Sequence, residues 1–407
     1  MRGPSVNITN MSPTTQPNDG SLVTVEILDN GNLLNVCWPE LGQSRFHAVW
    51  LRDNGQDSQT RDASNYQKLI TLNDIPVQTL IDSAIVLDGD KMELVFNPDG
   101  WSTVIGLEWL WERRYDREPD RVDRICPPTV TTWGAEFANS LPRASYLEAK
   151  SDPHVLLDWL SSIDRYGTAL LDDVQVQSEA VLDVISLFGP PRETNYGRYF
   201  EIKAQSQPTN LANTSLGLQV HTDNPYRDPV PTLQFFGCLQ NDAQGGDSVI
   251  VDGFRAAELL RKASPSHFEL LTKHSAQFDF HGGKNAHLRA TRPILECSPE
   301  GELLCVRFNN RSADAFTQIP FERMQEYYEA YRHFAELLTS GQLEVSFKLN
   351  AGQLFVTDNT RVLHGRKGFS GSGLRWMQGA YADKDALKSK ILLLQRELSV
   401  GDRGVVG

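Results

Sequence analysis

The sequence predicts an α+β protein: a double-sheet jelly roll with helices, preceded by a small β-rich domain. Three observations carry this. Over 21–115, short apolar runs broken by Gly and Asp recur roughly every ten residues, as in linked short strands. Two amphipathic helical patterns follow, and then a long series of strand-like segments. One long helical pattern is inserted late in that series.

The elements read in order as follows. Residues 1–20, MRGPSVNITNMSPTTQPNDG, are polar and lack the apolar core of a signal peptide, so a disordered tail is expected. In VTVEILDNGNLLNVCW two apolar runs flank Asp29-Asn30-Gly31-Asn32, a hairpin turn signal. KMELVFNPDG alternates with period two and ends in a turn. The charged, Pro-containing stretch 116–150 is aperiodic and reads as a linker that packs on both parts. A main domain is expected over 151–400. It opens with two helices, HVLLDWLSSIDRYG and EAVLDVISLFG, stopped by Gly167 and Gly189. Strands follow from Leu216 to Val251. PFERMQEYYEAYRHFAELLTSG is a long helix, QLFVTDNTRVLHG and LRWMQGAYAD are strand-like, and KDALKSKILLLQREL is a closing helix.

Composition narrows the function. With 40% hydrophobic residues in 407, the chain can bury a large core. No stretch approaches the roughly 18 apolar residues of a membrane helix. A net charge of −13 argues against nucleic acid as a partner, while leaving room for a small anion in a locally positive pocket. The five cysteines are scattered and form no C-x-x-C pair, so reduced thiols in a cytoplasmic protein are expected.

The sharpest motif is His221-Thr222-Asp223. Residues two apart on a strand share a face, so one imidazole and one carboxylate project together. His364 would complete two His and one carboxylate. That set leaves coordination positions open and suits non-haem Fe(II) with a co-substrate and O2. Alone, H-x-D is a weak signal, but its company is informative. Arg375, eleven residues beyond His364, can grip a carboxylate bidentately. Gly245-Gly246-Asp247-Ser248 offers a tight turn followed by a hydroxyl. Together they outline a site for a dicarboxylate, one end on the metal and the other on Arg375 and Ser248.

These residues resemble the Fe(II)/2-oxoglutarate dioxygenases of the taurine-dioxygenase superfamily, within it the γ-butyrobetaine and trimethyllysine hydroxylase branch. FHAVWLRDN, HTDNPYRDPVPTLQFFGCLQ, GGDSVIVDGF, RFNN, DNTRVLHGR and GAYAD carry the resemblance over nearly the whole chain from residue 20. It implies a double-stranded β-helix catalytic domain, with Fe(II) on His221, Asp223 and His364. It also implies 2-oxoglutarate on Arg375 and Ser248, O2 as oxidant, stimulation by ascorbate, and a homodimer. One departure stands out. LRDN in the γ-butyrobetaine relatives runs into three cysteines that help bind zinc. Here Gly55-Gln56-Asp57-Ser58-Gln59-Thr60 follows with no thiol, so no zinc is expected.

The resemblance also places a substrate pocket at Tyr196, Phe200, Asn210, Asn213, Asn224, Asn309 and Tyr381. Family enzymes enclose a trimethylammonium head in aromatic rings, to whose faces such a cation is drawn. Tyr196, Phe200 and Tyr381 keep that character. Positions 213 and 224, tyrosine in the vertebrate γ-butyrobetaine enzyme, are asparagine here. Asn210 and Asn309 match positions that hold a substrate carboxylate. Arg311 and Ser312, next to them, would suit a three-oxygen head such as a phosphonate. The expected activity is hydroxylation of a methylene in a small trimethylammonium zwitterion, either γ-butyrobetaine or 2-(trimethylammonio)ethylphosphonate. The alternatives are a dioxygenase acting on a non-quaternary amine or another small anion, and a non-oxidative metal-binding jelly roll.

Overall fold

A computed structural model describes residues 23–39, 41–87, 90–116, 124–203, 216–282, 285–370 and 373–403. The expected tail and the pocket positions Asn210 and Asn213 lie outside these residues. The chain divides into two units, 1–122 and 123–407.

The first unit holds two three-stranded antiparallel sheets. One is β1 (Thr24–Leu28), β2 (Leu33–Trp38) and β3 (Gly42–His47), followed by helix α1 (Ala48–Asp53). The other is β4 (Leu80–Val86), β5 (Lys91–Asn97) and β6 (Ser102–Gly106), followed by α2 (Leu107–Glu112). Alternation does the sorting: Leu34, Val36 and Trp38 of β2 and Met92, Leu94 and Phe96 of β5 all turn into one core. The β1–β2 turn is the one read from the sequence, with Asn30 and Gly31 at positive φ (53° and 95°). The loop after Asn54 is knotted around Asp57. Its carboxylate accepts from the Gln59 and Thr60 amides (3.0 and 2.9 Å), Thr60 Oγ1 (2.8 Å) and Trp101 Nε1 (3.3 Å). Burial pushes the Asp57 pKa up, but these donors outweigh it and hold the carboxyl below its usual range.

The second unit is a sandwich. Its larger sheet contains β7 (Arg143–Ser145), β8 (Thr168–Asp172), β9 (Phe200–Lys203), β11 (Leu233–Asn241), β19 (Leu354–Asp358) and β22 (Arg375–Ala382), ordered β7-β8-β19-β11-β22-β9. The smaller holds β10 (Leu218–His221), β13 (Ser248–Asp252), β18 (Val345–Phe347) and β20 (Val362–Arg366), ordered β10-β20-β13-β18. Every pairing but β7–β8 is antiparallel. Short two-stranded ribbons complete it: β12 (Gln244–Gly245) with β21 (Phe369–Ser370), β14 (Ser275–His281) with β15 (His287–Pro293), and β16 (Leu295–Cys297) with β17 (Leu303–Val306).

Between the sheets pack Leu170, Phe236, Phe355 and Met377 from one and Ile250, Val345 and Val362 from the other. The neighbouring residue on each strand points outward. Leu233, Phe235, Val356 and Ala380 meet helices α4 (Pro153–Tyr166), α5 (Ala180–Ile185) and α9 (Lys384–Arg403). Val249, Val251 and Leu363 meet α6 (Gly253–Ala263), α7 (Pro265–Lys273) and α8 (Met324–Thr339). The strands are therefore apolar on both faces, and a polar inward residue is an exception with a cause. Among the described residues no helix is long and apolar enough to cross a membrane. The five thiols are unpaired.

Part of the stretch expected as a linker, 124–150, is described. From residue 124 the chain packs into the second unit: Trp133 and Phe137 join the inter-sheet core, β7 adds a strand, and α3 (Tyr146–Ser151) follows it. This stretch is anchored by isolated large side chains rather than by a repeating face, which is why its sequence shows no period.

Candidate active site

The site is built from those inward polar exceptions. β10 and β20 pair with His221 directly opposite His364, so the two rings lie 4.5 Å apart between centroids. Asp223, two residues past the end of β10, turns its Oδ1 to within 3.3 Å of His221 Nε2 and 3.9 Å of His364 Nε2. The donor atoms of all three lie within 4.8 Å of one another. The chain that leaves β10 is fastened by Asn359. Its Oδ1 accepts from the Asp223 amide (2.6 Å) and its Nδ2 donates to the Asp223 carbonyl (2.9 Å).

Each donor is prepared for a cation. His221 Nδ1 donates to the Gln219 carbonyl at 2.7 Å, which leaves the Nε2 lone pair facing the site. Burial, then the neighbouring His221, pulls the His364 pKa down to about 3, so its imidazole is neutral. Burial disfavours the Asp223 carboxylate, yet the polar groups packed against it, His221, His364 and the Tyr381 hydroxyl, hold it below its ordinary range. Its Oδ2 is occupied by Tyr381 Oη (2.8 Å) and by Gln234 Nε2. Oδ1 is thereby aimed at the imidazoles. Burial and the Asp223 charge raise the Tyr381 pKa well above normal, so that hydroxyl stays a donor. Two nitrogens and one carboxylate oxygen, grouped on the wall of a cavity of about 810 Å3, suit Fe(II) with positions left for ligands.

The same cavity is lined by Ser248 at the head of β13 and Arg375 at the head of β22. Arg375 is buried and its Nε has no hydrogen-bond partner. Arg366, opposite Ser248 across the β13–β20 ladder, also lines it. Burial, then the Arg375 charge, pulls its pKa down to about 10. Two guanidiniums lining one cavity, one lowering the pKa of the other, favour an anion beside them. The sequence reading did not single out Arg366; its position two residues past His364, on the same strand face, was the available signal.

Of the pocket positions, Tyr196, Phe200, Asn224, Asn309, Arg311, Ser312 and Tyr381 all line the cavity. Phe200 lies 5.3 Å from Tyr381 and 6.0 Å from Tyr196. Two further rings, missed in the sequence, join them. Phe280 stacks on Tyr226 at 4.6 Å and 14°, and Tyr226 Oη lies 3.1 Å from Tyr196 Oη. Tyr226 stands only two residues past Asn224, and its hydroxyl donates to Asn224 Oδ1 at 2.6 Å. Phe280 reaches the site from the β14–β15 hairpin, with no local signal in the sequence. The asparagine at 224 therefore does not strip the pocket of rings.

Asn309 is mainly a brace: its Nδ2 donates to the Thr222 carbonyl (3.0 Å) and its Oδ1 accepts from the Arg311 amide (3.1 Å). Arg311 Nη2 lies 2.6 Å from His221 Nε2, so this guanidinium sits at the ligand cluster itself. Asn224 Nδ2 and Ser312 Oγ are buried without a hydrogen-bond partner.

A jelly roll enclosing two imidazoles and a carboxylate, in a cavity also lined by two buried arginines, defines a metal-dependent oxygenase that takes an anionic co-substrate. Comparison gives the family. The profile described as "Taurine catabolism dioxygenase TauD, TfdA family" matches residues 126–381. The chain is 32% identical to the γ-butyrobetaine dioxygenase of Pseudomonas sp. (strain AK-1), covering 89% of this chain and 94% of that protein. It is 29% identical to the human γ-butyrobetaine dioxygenase (93% and 98% covered) and 30% identical to the human mitochondrial trimethyllysine dioxygenase (86% and 83%). The chain belongs to the TauD, TfdA family. It is a 2-oxoglutarate-dependent dioxygenase that uses Fe(II) and O2.

Proposed function

We propose that the enzyme hydroxylates a methylene of a small trimethylammonium zwitterion. The balance is one C–H, one 2-oxoglutarate and one O2 giving one C–OH, succinate and CO2. The observation that carries this reading is the ring set Tyr196, Tyr226, Phe280, Phe200 and Tyr381, lining the cavity that also holds His221, Asp223 and His364. A quaternary ammonium donates no hydrogen bonds and is held by π faces, at about 2 kcal/mol when desolvated.

In this reading Fe(II) sits on His221, Asp223 and His364, and 2-oxoglutarate on Arg375 and Ser248 with Arg366 beside them. Iron and 2-oxoglutarate supply the oxidising chemistry when bound; the chain supplies position. Tyr381 and Gln234 hold Asp223 in one orientation, and the Gln219 carbonyl holds the His221 tautomer. The rings exclude water around the cationic head. Arg311, whose Nη2 lies 2.6 Å from His221 Nε2, would pair with the substrate anion beside the cluster that would hold the metal. Holding both charged ends presents the carbon between them in one pose.

The relatives' names favour a carboxylate, as in γ-butyrobetaine. A second reading, 2-(trimethylammonio)ethylphosphonate, is favoured by Asn224 Nδ2 and Ser312 Oγ. With Arg311 they offer three donor groups, enough for a three-oxygen head. Succinate release across γ-butyrobetaine, trimethyllysine, the phosphonate and its primary-amine analogue tests both. Coupled turnover confined to quaternary amines supports the ring cage. Equal turnover of the primary amine sinks it.

A further inference from the structure

The β14–β15 hairpin carries a second cluster of metal-type donors, separate from the one above. Alternation places Asp279 and His281 on one face of β14, and register sets His287 opposite His281 and Arg289 opposite Asp279. D-x-H on one strand and H-x-R on the other thus bring four side chains together. The two imidazoles stack at 4.0 Å between centroids. His281 Nε2 lies 2.8 Å from Asp279 Oδ1, and His287 Nε2 3.3 Å from Oδ2. As in the active site, one donor atom from each residue falls within 4.8 Å of the others.

Two details favour a cation here over a purely ionic cluster. Asp279 Oδ1 is buried and has no hydrogen-bond partner, although a ring nitrogen stands 2.8 Å away. A buried carboxylate oxygen that accepts no hydrogen bond keeps its lone pairs free for an ion. The exposures also fit: the Asp279 side chain is 11% exposed, while those of His281 and His287 are 72% and 49% exposed. The carboxylate forms a floor, and the imidazoles are reachable from solvent. Against the cation stands Arg289, which pairs with Oδ2.

We propose that Asp279, His281 and His287 bind one borderline divalent cation of the zinc class, with water completing the shell. Two imidazoles and one carboxylate form a site of the kind such ions take with solvent in the remaining position. Arg289 is the built-in competitor for the carboxylate. An ion here would bridge β14 to β15 beside Phe280, bracing the hairpin that supplies a wall of the cavity.

The test is metal counting on the full chain, stripped with a chelator, equilibrated with Zn2+ at neutral pH and freed of excess. Wild type is expected to retain two zinc ions per chain, one in each cluster. His221→Ala and the double variant His281→Ala/His287→Ala should each retain one. Arg289→Gln should bind the second ion several-fold more tightly, because the competing charge is gone. A wild type that takes one ion and loses it with His221→Ala overturns the proposal. So does a double variant that still takes two, or weaker zinc binding in Arg289→Gln. None of these outcomes depends on which substrate is hydroxylated.

Discussion

Tyr381 serves two neighbours at once: its hydroxyl holds Asp223 and its ring lies beside Phe200. Tyr381→Phe separates the roles by keeping the ring and deleting the donor. Fe(II) affinity should fall about tenfold or more, the usual effect of losing a partner that orients a ligand. Anaerobic Fe(II) titration reads this out, and unchanged affinity would mean Gln234 alone suffices. Gly379 makes a different point. It faces Phe200 across the β22–β9 ladder, and a Cβ there would lie 2.3 Å from Phe200 Cζ. Gly379→Ala must move that ring, and a pocket wall with it. We expect kcat/KM to drop on the order of a hundredfold with the circular dichroism spectrum preserved. An unaltered kcat/KM would remove Phe200 from the pocket argument. At this scale the sequence was partly readable. His221, Asp223, His364 and Arg375 stood out by residue type and order. Phe280 did not, because a phenylalanine on an alternating strand looks like any core residue until its neighbours are known.

Among elements, the β19–β20 hairpin matters most, since it delivers His364. QLFVTDNTRVLHG reads plainly as strand, turn, strand. What anchors the turn was not readable. Arg361 is almost wholly buried and bonds Asp252, the N-cap of α6, through Nε (3.1 Å) and Nη2 (2.7 Å). Its remaining donors reach the carbonyls of Arg165 (2.9 Å) and Thr131 (2.7 Å). One guanidinium therefore ties α4, α6, the β19–β20 turn and the segment around Thr131. Arg361→Met leaves the Asp252 charge buried and unpaired, and should cost about 3–5 kcal/mol of stability. Urea denaturation measures it; a loss below about 1 kcal/mol would show that the pair is replaceable by packing.

For the whole molecule, the closing helix α9 is fastened to the large sheet by Lys384, whose Nζ donates to Asp358 Oδ2 at 2.8 Å and lies 2.7 Å from Thr360 Oγ1. Burial works to raise the Asp358 pKa, but the Lys384 charge and hydrogen bond and the Thr360 donors outweigh it. The folded carboxyl thus holds its proton more weakly than the unfolded one, whose pKa is near 3.8. Its contribution to stability is complete above that value and is lost as pH falls through the lower folded value. Lys384→Met should destabilise by about 2 kcal/mol at pH 7. The gap between variant and wild type should shrink once the pH is taken below 3.8. An equal gap at pH 7 and pH 3 would assign the effect to helix packing alone.

The chain by itself determined whatever is written in spacings of two to four residues. These are the strand alternation that makes two facing sheets, the amphipathic helices that cover them, and the H-x-D face that offers an imidazole and a carboxylate together. Such patterns act between near neighbours, where backbone geometry alone sets which side chains share a side. Only the tertiary structure decided that His221 stands opposite His364, that Phe280 and Tyr226 supply rings beside Asn224, and that Arg311 reaches the His-Asp-His cluster. Those contacts join residues far apart in sequence. Their register follows from how the sheets, ribbons and helices bury their apolar faces together, which no local window of residues contains.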